Sequence, residues 1–78
     1  MRPTMTATSY RVTLSIREAE RTVSAATERE VALMAESILR QHEHQRLAVG
    51  FRVDCADPAA RHRIAAYLAD LALELDLA

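Results

Sequence analysis

The chain has no lysine and no tryptophan, and its 78 residues include one glycine, one cysteine and two prolines. Each scarcity excludes something. The single cysteine, Cys55, cannot close a disulfide within the chain, so no covalent staple holds the fold. The single glycine, Gly50, cannot build a glycine-rich phosphate cradle or a glycine-flanked nucleophile elbow, which sets aside nucleotide hydrolysis and dinucleotide redox chemistry. With Tyr10, Phe51 and Tyr67 as the only aromatic residues, the core has to be filled by leucine, valine, isoleucine and alanine. No apolar run approaches the roughly 20 residues of a membrane span. The segment from Met1 to Thr8 has no apolar stretch like that of a secretory signal, so a cytoplasmic location is expected. Ten arginines against eleven acids give a formal net charge of −1 and no global field toward nucleic acid or anionic lipid.

Half the residues are apolar, enough for one small core, at a length close to the lower limit for folding without a staple or partner. Residues 1–9 are polar, Thr-rich and aperiodic, and read as a flexible tail, leaving 10–78 as a single α+β domain. From Tyr10 the pattern changes: Tyr10, Val12, Leu14 and Ile16 alternate with Arg11, Thr13, Ser15 and Arg17, the period of a strand with one buried face. A second strand is expected through Thr22 to Ala25 after a four-residue turn, Glu18 to Arg21, which sets Ile16 opposite Val23 and Leu14 opposite Ala25. The rival arrangement takes Ser15 to Glu18 as a capping box and runs one long helix to Arg46, giving βαβα.

Thr27, followed three residues later by Glu30, predicts the start of a helix whose core stripe is Val31, Met34, Ala35, Ile38, Leu39 and His42, fraying over His42 to Gln45. Leu47, Val49, Phe51, Val53 and Cys55 then alternate with small or charged residues as a third strand. Asp57 and Pro58 open the last helix, the acid as N-cap and the proline at a position whose amide has no partner anyway. Its main apolar stripe is Ile64, Tyr67, Leu68, Leu71 and Leu75. The expected fold is therefore a two-layer ββαβα domain, a three-stranded mixed or antiparallel sheet with both helices on one face.

A second apolar strip on the last helix, Ala66, Ala69, Leu73 and Leu77, faces away from the first. Glu74 and Asp76 oppose the helix dipole at that end, and no glycine or asparagine caps it, so the final turn should fray unless something packs on it. These features predict a non-enzymatic protein-interaction or regulatory module that homodimerises or docks on a larger protein through Ala66, Ala69, Leu73 and Leu77, aided by Leu33. The alternative is a nucleic-acid-associated protein using Arg11, Arg17 and Arg52 on the open sheet face. Such platforms stack bases on exposed aromatics, whereas Tyr10 and Phe51 share the parity of the buried face.

No catalytic, metal or cofactor site is expected. His42 and His44 do not have the i, i+4 spacing that sets two imidazoles on one helical face, and Cys55 has no cysteine partner. Cys55 continues the apolar face of its strand, which suits a small buried hydrophobe better than a nucleophile paired with His62.

Overall fold

The computed structural model describes residues 9–45, 48–75 and 77. The expected tail, apart from Ser9, lies outside them, as do Leu47 and Asp76. The chain runs β1 (Tyr10–Ile16), β2 (Ala19–Ala25), α1 (Glu28–Arg40), β3 (Val49–Asp54) and α2 (Pro58–Glu74). This is the expected ββαβα order, and the single long first helix is ruled out. The sheet is antiparallel throughout in the order β2-β1-β3.

The first hairpin is tighter than its composition predicts. Arg17 and Glu18 alone form the turn, so Ile16 faces Ala19, Leu14 faces Arg21, Val12 faces Val23 and Tyr10 faces Ala25. The expected pairing of Ile16 with Val23 is corrected by an even number of residues, which leaves every side chain on its predicted face. The shorter turn lets seven residues of each strand pair. It does so at the expense of Arg17, whose φ of 58° lies in the left-handed region.

Val12, Leu14, Ile16 and Val53 project from one face of the sheet into a single core completed by Val31, Ala35, Ile38 and Leu39 of α1 and by Ile64, Leu68, Leu71 and Ala72 of α2. Both helices thus cover the same face, α1 lying over β1 and β2 and α2 over β3. They run in the same direction and are linked at three successive heights. Arg63 donates two hydrogen bonds to the Glu28 carboxylate, at 2.9 and 2.8 Å, Tyr67 donates its hydroxyl to Glu36, and the His44 amide donates to the Leu75 carbonyl at 2.8 Å.

The helix starts follow the expected chemistry. Thr27 Oγ1 accepts from the Glu30 amide at 3.1 Å, but the Glu30 carboxylate accepts from the Thr27 hydroxyl rather than from its backbone. Asp57 accepts from the Ala59 amide at 3.0 Å, with Pro58 opening α2. The end of α2 differs from expectation. The Leu77 amide donates to the Ala72 carbonyl at 2.9 Å, a six-to-one bond of the Schellman kind, and Leu77 is only 2 % exposed beside the buried Ala72. Leu77 therefore closes the core instead of joining an outward strip, and with the His44 bond to Leu75 it ties down a turn that the composition alone would leave frayed.

Candidate functional site: the outer helical face

Four large apolar side chains remain exposed among the described residues: Leu33, Met34, Tyr67 and Leu73. Leu33 was expected outside. Met34 and Tyr67 were assigned to core stripes and are corrected here. On α1 the buried set is Val31, Ala35, Ile38 and Leu39, which leaves Met34 on the flank away from α2. Tyr67 occupies the opposite kind of flank, between the helices, where its ring covers apolar surface while its hydroxyl reaches Glu36. A phenol at the margin of a stripe, with acids on the neighbouring helix, is the signal that could have placed it there.

Leu33, 51 % exposed, shares a shallow groove with Glu28, Arg29, Ala32, Arg63, Ile64 and Tyr67. Ala66, Ala69 and Leu73, none of which lines this groove, follow one another along the outward face of α2, all exposed, Leu73 at 74 %. Of the five residues proposed from the sequence as a contact surface, four are on the outside and Leu77 is not. The groove is framed by fixed charge. The Arg63 guanidinium holds the Glu28 carboxyl below its usual range, and Glu28 raises Arg63 in turn. The Tyr67 hydroxyl and then Arg40, whose Nε lies 2.8 Å from Glu36, lower the Glu36 carboxyl, while Glu36 raises the Tyr67 phenol. The solvent-screened Glu28–Arg63 ion pair and the Tyr67–Glu36 hydrogen bond clasp the two helices, while the Glu36–Arg40 pair lies within α1; the shifts follow from this mutual pairing, the pattern of a structural brace.

On the open face of the sheet, Arg11 lies opposite Asp54 and Arg52 opposite Thr13, which makes the two arginines diagonal neighbours. They share a shallow depression with Ser9, Asp54 and Cys55, and Asp54 stands 3.6 Å from Arg52 Nε. Thr13, 6 % exposed, bonds Thr22 through their hydroxyls at 3.3 Å. Arg17 is not with them. It sits in the hairpin turn, roughly 20 Å along the strand from Arg11 at about 3.3 Å per residue, so the three arginines proposed as an anion surface form a pair and a distant single.

The histidines also separate. His42 Nδ1 is 3.1 Å from the Gln45 amide oxygen, His44 Nε2 is 3.3 Å from Glu43, and His62 is exposed on α2. Among the described residues no three ligand-type side chains come together as a metal centre would require. Cys55 is half-buried and donates to the Asp57 carbonyl at 3.3 Å. No helix among the described residues is long and apolar enough to cross a membrane. Comparison with protein-family models, curated proteins and solved structures gives no match.

Proposed function

We propose that this chain is a non-enzymatic protein-interaction module of regulatory type, docking on another protein through the outer face of its helical layer. The observation that carries the reading is Leu73. A leucine 74 % exposed, on one line with Ala66 and Ala69 of the helix that also lends Tyr67 to the Leu33 groove, leaves apolar area open in a domain whose own core is already closed by Leu75 and Leu77. The small side chains allow close approach of a partner backbone or helix, and the Glu28–Arg63 and Glu36–Arg40 pairs form a polar rim. The arginine pair on the open sheet face supports nucleic-acid binding less well, because Asp54 offsets Arg52 and the aromatic rings belong to the helix-covered face.

The test is affinity capture from source cells with the wild type and with Leu73→Glu as baits, followed by reconstitution of each captured protein with pure chain. A partner bound directly by the wild type and weakened at least about tenfold by the substitution is expected. Equal retention by both baits, with far-UV circular dichroism showing both folded, would reject this surface.

A further inference from the structure

The sheet has two edges, and they are not equivalent. Among the described residues only β1 lies alongside β2, and five of the seven β2 residues are exposed. In a two-residue hairpin the residues flanking the turn exchange both hydrogen bonds, and the ladder alternates from there. Ala19, Arg21, Val23 and Ala25 therefore turn their amides and carbonyls toward β1, while Glu20, Thr22 and Ser24 turn theirs outward. We propose that a second copy of this chain occupies that edge, β2 pairing antiparallel with its counterpart about a two-fold axis through Thr22 to form a continuous six-stranded sheet.

Three features select a second copy. The outward groups are in phase: with Thr22 opposite Thr22, Glu20 of each chain falls opposite Ser24 of the other, and all three pairs are of the hydrogen-bonded kind. The helical layer has the right spacing. Because α1 lies over β1 and β2, its axis is about one strand spacing inside the β2 edge, and the two-fold sets the two α1 helices about 9.6 Å apart, within the usual packing range of 8–10 Å. At the β3 edge the same operation fails, since α2 lies over β3 itself and its two copies would stand about 4.8 Å apart.

The third feature is what the α1 flank carries. Ala19 and Arg21 share one end of the domain with His42 and Gln45, so α1 runs antiparallel to β2. At about 1.5 Å per helical residue and 3.3 Å per strand residue, Met34 stands at the height of Thr22, on the axis. Met34 is 42 % exposed on that flank, and the two-fold sets it against its own counterpart. The same operation brings Arg21 of each chain within about 3 Å of the height of Glu30 of the other, opposite charges on the facing flanks.

This surface does not include Leu73, so the two proposals fail separately. The experiment is light scattering at high micromolar concentration on the wild type, Thr22→Pro, Met34→Glu and Leu73→Glu, with far-UV circular dichroism on each. Proline at position 22 removes an outward amide and leaves the ladder to β1 intact. A wild-type dimer unaffected by Leu73→Glu and weakened at least about tenfold by Thr22→Pro or Met34→Glu is expected. In a Cys55→Ser background, Thr22→Cys should form a disulfide-linked dimer on mild oxidation, and Ser24→Cys should not. A monomeric wild type, a dimer split by Leu73→Glu alone, or equal cross-linking at both positions would overturn the proposal.

Discussion

Arg17 is the residue at which local preference and ladder pairing disagree. Its φ of 58° is comfortable for glycine and strained for arginine, and only the first central residue of the turn is in that region, as in a type II′ hairpin. The strain persists because shortening the turn gains paired backbone on both strands. Arg17→Gly should therefore raise stability by about 0.5–1 kcal/mol, the relief of the left-handed penalty less the entropy that glycine adds to the unfolded chain. The check is an increase in the urea midpoint with an unchanged slope; a midpoint that falls would mean that the Arg17 side chain makes a contribution larger than the strain. The same residue explains why the register was only half legible in the sequence. Alternation fixes which side chains face the core, and it is blind to any shift by an even number of residues. With no Gly, Asn or Pro between Ile16 and Thr22, no turn residue broke the tie.

At the scale of elements, the helices were legible where a cap or a strong stripe announced them. Thr27, Asp57 and Pro58 set the starts, and Val31, Ala35, Ile38 and Leu39 were expected inside and are. The width of each stripe was not legible, because a helix wedged between a sheet and a second helix buries an arc that depends on where that neighbour sits. Met34 and Tyr67 lie at the two margins of that uncertainty. Leu77 was misplaced for a different reason: angular arithmetic continues a helix past its last turn, whereas α2 ends at Glu74 and the chain reverses into a cap that folds Leu77 back over Ala72. These two leucines give a paired prediction. Leu77→Ala should destabilise by about 2–4 kcal/mol as a buried large-to-small change, and Leu73→Ala should stay within about 0.5 kcal/mol of the wild type. Chemical denaturation of both variants decides it; equal effects would mean that Leu73 is covered in solution, or that Leu77 is not.

For the whole molecule, the helical layer is held to itself by side chains that titrate, and this gives its stability a pH dependence of predictable sign. The Glu28 and Glu36 carboxyls lie below their ordinary range because Arg63, for the first, and the Tyr67 hydroxyl and Arg40, for the second, favour the charged forms. The unfolded chain, without these partners, binds protons at these carboxyls at a higher pH than the native chain does. Stability from the clasp is therefore complete above the ordinary carboxylate pKa and is lost as pH falls through the lowered native values. Tyr67 acts in the opposite sense at the alkaline end, its raised phenol contributing below its ordinary range and losing that contribution as it ionises. A Glu28→Gln, Glu36→Gln double variant should thus be less stable than the wild type at neutral pH and should converge on it in acid, with the two curves closing over the interval from the ordinary carboxylate range down through the lowered native values. Urea midpoints measured across that interval are the test. Curves that stay parallel would mean that solvent screens these exposed pairs completely, and that apolar packing across the α1–α2 seam, with the His44 amide bond to Leu75, carries the helix pair alone.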